Sequence, residues 1–566
     1  MQSWLLMGIR KNLSMNFLVN KIDIMINLKK NSVNRLAGAL LGLACLGAAA
    51  LGAAESQTAE KPAGKYNVLF IIADDLGATD LGATGSSFYE TPRIDSIASN
   101  GMRFTDGYAA SPACSPSRYS VMTGKYPPRS GITDWIGSGT GKLVEKVFPL
   151  LQKPVSEGLP FEEVSLAEAF KAAGYTTFAA GKWHLGSSAP EWPEHHGFDI
   201  NKGGYGQGQP SNFYAPYKNP RLEDGPDGEA LNLRLGRETA EFIEQNKNQR
   251  FFAYMSLYAV HTPIQTTKEK WKKYRDKAEK MGPLDRERYK EDDGYLSRLV
   301  QDNPLYAGLV EEMDESVGIV LDKLKELGLD KNTIVVFTSD NGGVAIAAGE
   351  SFTSVLPFRG GKGSNFEGGI RVPFLIQAPG IAKPGSVNPT PVIGTDFYPT
   401  LLELAGIPSK PEQHLDGVSL VPLLKGGSIA KRDLFWHYPH YQGFFHQPAS
   451  SIRSGDWKLI HYWEDGRDEL YHLAEDVGEQ NNLAAKNPEK AGELRAQLDR
   501  WLAAVGAQIP GPDPRWKPEM AKPRNEGFVN RKRHFEANAI KMLQPDWEPK
   551  ASEGWGPWWG SGKTGI

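Results

Sequence analysis

The chain has 566 residues, of which 40% are hydrophobic and 23% are charged. A chain of this length buries a large core, and we expect more than one domain. The formal net charge is −3, and the region after residue 54 is more acidic still, because residues 1–54 carry six Lys or Arg residues against one acid. A mildly acidic protein is a poor partner for nucleic acid, so we exclude nucleic-acid binding and expect local positive charge to hold any bound anion.

Residues 1–54 have the pattern of a leader. Lys29, Lys30 and Arg35 precede an apolar, alanine-rich run at 36–51, and small residues follow at 52–54. This order of charged, apolar and small residues is typical of a secretory signal. We therefore predict an exported protein, periplasmic or secreted, whose leader is residues 1–54.

The leader also raises the questions of the start codon and of anchoring. We expect translation to begin at Met25 or Met15, because the residues before them are unusual for such a signal. The apolar run is too short and too rich in glycine to span a bilayer, so we expect no transmembrane segment in the mature chain. Lipid anchoring at Cys45 is a weaker alternative, since Gly42 stands where a large aliphatic residue is usual.

After the leader, short apolar runs alternate with amphipathic helical patterns, which predicts an α/β fold. The run at 67–73 is continuously apolar, as in a strand buried on both faces, and it ends at Asp74 and Asp75. A helix is predicted over 92–100. The two aspartates therefore stand where the chain leaves a central strand.

Cys114 precedes the next predicted helix and is the only cysteine left once the leader is removed. Pro116 fits the first helical position, Ser115 the N-cap, and Gly124 ends the element. The positive end of the helix dipole would stabilise an anion beside Cys114. An isolated cysteine is otherwise a small buried hydrophobic residue, and the pattern alone leaves that interpretation open.

Three later strands, predicted at 175–180, 251–257 and 333–339, also end at polar residues. The residues that follow them are Lys182, His184, His261, Asp340 and Asn341. In open α/β sheets, ligands bind beyond the carboxyl ends of the strands, so we expect these side chains at one edge. A lone lysine is more often solvated, and a lone histidine more often structural, than catalytic.

Oxygen ligands recur at two of these strand ends. Asp74 with Asp75, and Asp340 with Asn341, each fit a turn or a helix cap when taken alone. Together they supply hard oxygen donors that suit Ca²⁺, or alternatively Mg²⁺, and do not suit a metal that prefers thiolate.

The region after residue 425 has a different pattern. Strands at 451–460 and 469–473 predict a smaller antiparallel sheet, covered by a helix at 488–505. We divide the chain into a catalytic domain at 65–425, an α+β subdomain at 430–510 and a Pro/Trp-rich tail at 511–566. The tail tryptophans include Trp516, Trp547, Trp555, Trp558 and Trp559. These rings either stack on a ligand at the rim of a site or pack onto the domain surface.

The segment Cys114-Ser-Pro-Ser-Arg118 resembles the signature of the type I sulfatases, which belong to the alkaline-phosphatase-like superfamily. The segment Gly181-Lys-Trp-His-Leu-Gly186 is similar to a second signature of that family. His261 before Thr-Pro and Lys362 in a glycine-rich segment match two further positions. The resemblance covers residues 65–505 and implies a large mixed, mostly parallel sheet flanked by helices, with a smaller C-terminal antiparallel-sheet subdomain.

The resemblance also implies a mechanism. In that family a maturation enzyme oxidises the cysteine to formylglycine, and residues matching Asp74, Asp75, Asp340 and Asn341 hold one divalent cation beside it. Hydrated formylglycine attacks sulfur and then expels sulfate to regenerate the aldehyde, whereas a serine would remain as a stable sulfate ester. The resemblance implies three further roles. Arg118, Lys182 and Lys362 offset negative charge on the sulfuryl oxygens, and His184 with Arg118 orients the diol. His261, assisted by Lys362, protonates the leaving oxygen.

Substrate identity is less constrained. Export, a subdomain at the rim and an aromatic tail favour a sulfated oligo- or polysaccharide. Alternatives are a small aryl sulfate and a phosphate or phosphonate ester; a noncatalytic glycan-binding homologue is disfavoured, since it would be expected to lose Cys114 or a metal ligand. The glycine-rich segment at 203–212 either forms simple turns or faces the substrate.

Overall fold

The computed structural model describes residues 66–138, 147–292, 294–347, 351–441, 446–521, 523, 527–549 and 559. The predicted leader with its start codon and Cys45, and the tail residues Trp555 and Trp558, lie outside the described residues. Within these ranges, no helix has both the length and the apolar character needed to cross a membrane.

An eight-stranded sheet forms the centre of the catalytic region. Its strands are β1 (Asn67–Ala73), β2 (Met102–Phe104), β3 (Thr176–Gly181), β4 (Ile200–Lys202), β5 (Phe251–Ser256), β6 (Thr333–Ser339), β7 (Phe374–Gln377) and β8 (Ser386–Asn388). Their order across the sheet is β8-β2-β7-β6-β1-β5-β3-β4. Only β7 among these strands runs antiparallel to its neighbours. The predicted mixed, mostly parallel sheet is confirmed.

The central strand β1 is buried along its whole length, because helices cover both faces of the sheet. Leu69 and Ile71 belong to one core with the helices at 92–100, 231–245 and 304–326. Val68 and Phe70 belong to the opposite core, with the helices at 114–123, 166–172 and 397–405. This three-layer arrangement explains why the strand is continuously apolar instead of alternating.

Nine longer helices accompany the sheets in the described part of the chain: Pro92–Asn100, Cys114–Thr123, Leu166–Ala172, Leu231–Gln245, Lys268–Lys280, Pro304–Glu326, Phe397–Ala405, Pro488–Ala504 and Phe528–Met542. The prediction for the second of these was wrong at its start. The helix begins at Cys114 with Ala113 as its N-cap. Ser115 does not cap it, because its hydroxyl donates to the carbonyl of His184 and accepts from the amide of Ile136.

A four-stranded antiparallel sheet follows, formed by Asp433–Tyr438, Ala449–Ser454, Trp457–Tyr462 and Asp468–His472. The helix Pro488–Ala504 packs its leucines against this sheet, as predicted. The single strand predicted over 451–460 was wrong: two strands meet at a turn where Gly455 takes a φ of 60°. Glycine reaches this left-handed conformation without the steric cost that a Cβ would add.

The described part of the tail packs onto the catalytic region. The ring of Trp271 lies 5.5 Å from the ring of Trp547 and 5.8 Å from the ring of Trp559, measured between centroids. Phe535, on the helix Phe528–Met542, contacts Tyr289 at 5.7 Å. For Trp547 and Trp559, packing onto the domain surface is therefore the alternative that the structure supports.

Candidate active site

Four adjacent strands deliver the predicted residues to one edge of the sheet. In the order β6, β1, β5 and β3, these strands are parallel neighbours, so their carboxyl ends lie side by side. Ala73 pairs with Ser339, which places Asp74 and Asp340 at the same level. The side chains that the sequence analysis assigned to this edge do come together there.

The four oxygen-bearing residues are in mutual contact. The backbone amide of Asp75 donates to Asp340 Oδ1 at 3.2 Å, and Asn341 Nδ2 donates to Asp75 Oδ1 at 2.8 Å. All four residues, Asp74 included, are buried, with at most 2% of their surface exposed. They converge as an oxygen-rich centre beneath the surface.

Three cationic side chains surround the three carboxylates. Arg118 donates through Nε to Asp340 Oδ2 at 2.8 Å. Lys182 Nζ lies 2.7 Å from Asp74 Oδ2. Lys362 Nζ lies 2.7 Å from Asp75 Oδ1. We refer to these residues as the strand-end cluster: Asp74, Asp75, Asp340, Arg118, Lys182 and Lys362.

The formal charges of the strand-end cluster balance, but they are unevenly distributed. Burial opposes ionisation of Asp75, yet Lys362 and the other nearby cations together outweigh it and lower the pKa of that carboxyl. Arg118, together with Lys182 and Lys362, does the same for the pKa of Asp340. For Asp74, burial dominates over Lys182 and raises the pKa to about 8. Asp74, beside Cys114, is therefore the carboxyl of the cluster for which the cost of burial is offset least.

Cys114 is buried at the first turn of its helix, with 2% of its surface exposed. Its Sγ lies 3.7 Å from Asp74 Oδ1. Burial raises the pKa of the thiol to about 12, so the unmodified side chain is protonated at neutral pH and is a poor nucleophile. The backbone amide of Gly363 donates to the carbonyl of Pro112, which joins the Lys362 loop to the start of this helix.

The two predicted histidines occupy different environments. His184 is buried, and its Nε2 lies 3.0 Å from the carbonyl oxygen of Ile136. Burial lowers the pKa of His184 well below its usual value. His261 is partly exposed, with Nε2 3.6 Å from Asp75 Oδ2, and burial followed by Lys362 lowers its pKa to about 4. His261 is therefore the histidine that reaches the opening of the site.

Backbone strain also concentrates here. Asp75 and His184 take φ values of 63° and 56°, in the left-handed region that side chains with a Cβ rarely adopt. Four non-glycine residues in the described ranges have positive φ, and these two lie in the site. Such strain of about 1–3 kcal/mol persists where surrounding contacts hold a functional geometry.

The donor set fits a hard divalent cation. Asn341 Oδ1 is buried and, within the described residues, has no hydrogen-bond partner. A buried amide oxygen without a donor is costly unless another group, such as a cation, satisfies it. Ligand atoms of Asp74, Asp75, Cys114 and His261 lie within 4.8 Å of one another. Asp340 is not in this group of four: its Oδ2 pairs with Arg118, and its Oδ1 accepts from the backbone amide of Asp75.

Sequence reasoning missed two supporting groups. Ser256, at the end of β5, accepts from Arg118 at 2.6 Å and donates to the carbonyl of Lys182 at 2.6 Å. Its position at a strand end was the available signal. In the 203–212 segment, a Cβ at Gly208 would lie 2.4 Å from His184 Cε1, so this segment packs directly on the site.

The fold and this centre define a class. A mostly parallel sheet flanked by helices on both faces, with acidic and basic side chains at its carboxyl edge and a small antiparallel sheet beyond, is the alkaline-phosphatase-like architecture. The solved structure of Ps i-CgsB in complex with k-i-k-neocarrahexaose aligns with a TM-score of 0.62 at 27% identity. The alignment covers 87% of this chain and 99% of that chain.

Sequence comparisons identify the family within this class. The model described as Sulfatase matches residues 66–407, and the model described as N-sulphoglucosamine sulphohydrolase, C-terminal, matches residues 361–508. A sulfatase of Formosa agariphila is 32% identical over 524 residues, covering 79% of this chain and 90% of its own length. Human N-acetylgalactosamine-6-sulfatase is 32% identical over 425 residues, covering 71% and 73%. The chain belongs to the sulfatase family and is a hydrolase of sulfuric esters.

Proposed function

We propose that this sulfatase is exported and removes sulfate from a sulfated carbohydrate, using formylglycine derived from Cys114 and one divalent cation, Ca²⁺ in preference to Mg²⁺. The observation that carries the proposal is the placement of the buried Cys114, 3.7 Å from Asp74, inside the strand-end cluster. A carbohydrate substrate is supported by the names of two similar proteins, the human N-acetylgalactosamine-6-sulfatase and the carrahexaose complex.

Asp74, Asp75, Asp340 and Asn341 are the residues that would hold the cation. Their buried oxygens, including the unpartnered Oδ1 of Asn341, suit Ca²⁺ better than a thiolate-preferring metal. When bound, the cation would supply a Lewis acid that acidifies a hydroxyl at position 114 and offsets negative charge. The positive charge of the cation would attract the single negative charge of a sulfate ester.

The cationic side chains have defined tasks in this proposal. Lys182 and Lys362 offset charge on the sulfuryl oxygens, and Arg118 does so while its second contact, with Ser256, fixes its direction. These groups are preorganised: each is already held by a carboxylate or a hydroxyl, so little entropy is lost in orienting them when substrate binds.

His261 protonates the departing oxygen in this proposal, and His184 orients the group at position 114. In the free site the pKa of His261 is lowered to about 4, by burial and then by Lys362. The negative charge of a bound sulfate ester favours imidazolium and raises that pKa. Substrate binding itself therefore prepares His261 as the general acid.

The decisive experiment measures the mass of the peptide that contains Cys114, alongside sulfate release from sulfated oligosaccharides and from an aryl sulfate. We expect the mass of formylglycine and turnover of at least one oligosaccharide. A fully active enzyme that retains the thiol would overturn the formylglycine proposal. Activity confined to the aryl sulfate, or to phosphate and phosphonate esters tested in parallel, would replace the carbohydrate proposal with that alternative.

The variant Cys114→Ser tests the same chemistry in the intact fold. We expect multiple turnover to fall by about 10³-fold or more, because a serine ester of sulfate lacks the second hydroxyl needed to expel the product. Thermal unfolding should be unchanged within about 2 °C. Ser120→Ala on the same helix is the matched control, since the hydroxyl of Ser120 donates to the carbonyl of Pro116 and has no other side-chain hydrogen bond among the described residues. Equal loss in both variants would indicate a structural effect.

Export is tested by the N-terminus of the protein isolated from its host. We expect the mature chain to begin after the leader, near residue 54, and to be recovered outside the cytoplasm. Recovery in the cytoplasm with an uncleaved leader would contradict the prediction, and a lipid-modified N-terminal Cys45 would replace it with anchoring.

A further inference from the structure

The rim beside His184 carries two exposed side chains that the proposed chemistry does not use. Trp135 is 38% exposed, and its ring centroid lies 6.4 Å from that of His184. By contrast, Trp183 and Trp436 are almost completely buried. Gln209 is exposed on the neighbouring loop. An aromatic face with an adjacent amide is a combination that recognises a ring bearing hydroxyl groups.

The backbone that presents Trp135 is fixed by buried hydrogen bonds on both sides. The amide of Trp135 donates to Asp134 Oδ1, which also accepts from Tyr438 at 2.7 Å. The next residue, Ile136, is bonded to Ser115 through its amide and to His184 through its carbonyl. The backbone that carries the exposed ring is therefore held in place, which lowers the entropy lost when the ring contacts a ligand.

Gln209 approaches the same opening from the leaving-group side. Gly208 lies against the imidazole of His184, where a Cβ would come within 2.4 Å of Cε1. Gln209 Oε1 accepts from Thr262 Oγ1 at 3.4 Å, and Thr262 in turn contacts Nδ1 of His261. Gln209 thus stands next to the histidine that we place at the departing oxygen.

We infer that Trp135 and Gln209 form the subsite that binds the sugar ring carrying the sulfate. This inference rests on the proposed carbohydrate substrate and deepens it. The indole of Trp135 stacks on the apolar face of the ring, and the amide of Gln209 bonds to its hydroxyl groups. An aryl sulfate gains from the indole but offers no hydroxyl to Gln209, so the two residues distinguish the substrate classes.

The test combines binding and kinetics. Calorimetry measures the affinity of sulfated oligosaccharides for Cys114→Ala, which lacks the nucleophile, and for the same protein carrying Trp135→Ala or Gln209→Ala. We expect affinity to fall about tenfold without the indole and about fivefold without the amide. In the active enzyme, the losses should raise KM for the oligosaccharide with little change in kcat. For the aryl sulfate, Gln209→Ala should have the smallest effect on KM.

Matched variants separate recognition from folding. Gln207→Ala, exposed two residues from Gln209, and Trp457→Ala, half-buried in the C-terminal sheet, should leave oligosaccharide affinity unchanged. Trp135→Phe should recover part of the stacking. Unchanged affinity in Trp135→Ala, an equal loss for both substrate classes in Gln209→Ala, or no oligosaccharide binding to Cys114→Ala would overturn the subsite. Sulfate release confined to aryl esters, with oligosaccharide binding retained, would instead refute the proposed substrate alone.

Discussion

Two buried charge clusters in this molecule contain the same numbers of acids and bases and yet differ in use. The strand-end cluster lies at the carboxyl edge of the large sheet. The second, which we name the inter-sheet cluster, joins the catalytic region to the C-terminal sheet and consists of Asp106, Glu367, Glu479, Arg371, Arg453 and Lys458. Both combine three acidic with three basic side chains.

The difference lies in how the carboxylates are arranged. In the inter-sheet cluster, Lys458 stands between Glu367 and Glu479 at 2.9 and 2.8 Å, so a base separates the acids. In the strand-end cluster, Asp74 and Asp75 converge with Asn341, whose Oδ1 has no partner within the described residues. The first arrangement is complete in itself, whereas the second is suited to receive a cation. Equal numbers of acids and bases therefore do not distinguish a structural ion network from a catalytic one.

The largest effect is expected for Asp74→Asn. We predict that activity falls about 10³-fold or more and that the bound cation is lost, since a ligand and charge are removed. Cation content by mass spectrometry and sulfate release check these points. Urea unfolding checks that the variant remains folded, since Asp74 also pairs with the buried Lys182 at 2.7 Å.

The control for that variant is Asp322→Asn, which removes an exposed partner of Arg93 and should alter neither quantity. Retention of the cation and of activity in Asp74→Asn would remove Asp74 from the ligand set and would erase the distinction between the clusters.

Disrupting the inter-sheet cluster should lower stability and leave activity nearly unchanged. Lys458→Met leaves Glu367 and Glu479 without their shared cation, all three side chains being fully buried. We predict a loss of about 3–5 kcal/mol in unfolding free energy, the usual result of breaking a buried ion pair. Activity of the protein that remains folded at low temperature should stay within about twofold. Lys490→Met, which breaks an exposed pair with Glu493, is the control and should cost about 0.5 kcal/mol or less.

Glu312, a buried acid outside both clusters, sharpens the comparison, because its hydrogen bonds within the described residues come from neutral groups. Glu312 accepts from Tyr214 at 2.6 Å and from Asn232 at 3.0 Å, and burial raises its pKa to about 7. The folded state therefore holds this proton more tightly than the unfolded chain. Its contribution to stability is full below about pH 4.5 and is lost as the pH rises through about 7.

The variant Glu312→Gln removes this dependence. Relative to the wild type, its unfolding free energy should increase by about 1–3 kcal/mol between pH 5 and pH 8, measured by urea unfolding. Glu244→Gln, on an exposed pair with Lys323, serves as the control. A difference that stays constant with pH would show that Glu312 is ionised in the folded protein.

The sequence predicted the site better than it predicted local boundaries. Strand ends were recognisable because a strand buried on both faces is uniformly apolar, so the change to Asp74 or Asp340 is abrupt. The start of the Cys114 helix was mispredicted because Ser115, a good capping residue, uses its hydroxyl for a distant loop. The turn at Gly455 was missed because one glycine between two strands leaves little signal.

Tertiary contacts explain what no local pattern contained. The inter-sheet cluster joins residues more than 300 positions apart, such as Asp106 and Arg453, and nothing near either residue marks it. The packing of Gly208 on His184 likewise depends on how two loops meet. The oxygen-bearing residues at the strand ends were predictable from the sequence, whereas the contact of Asp340 with Arg118 required the coordinates.

The residues of the site are far apart in the sequence, which sets the minimum time before the site can assemble during synthesis. Arg118 and Asp340 are 222 positions apart, and at about 5–20 residues per second a ribosome needs roughly 10–45 s to synthesise the intervening chain. Strand β6 pairs directly with β1, so the sheet cannot close around Cys114 until that interval has passed. Any enzyme that oxidises the sulfur therefore has at least this interval before strand pairing can bury Cys114.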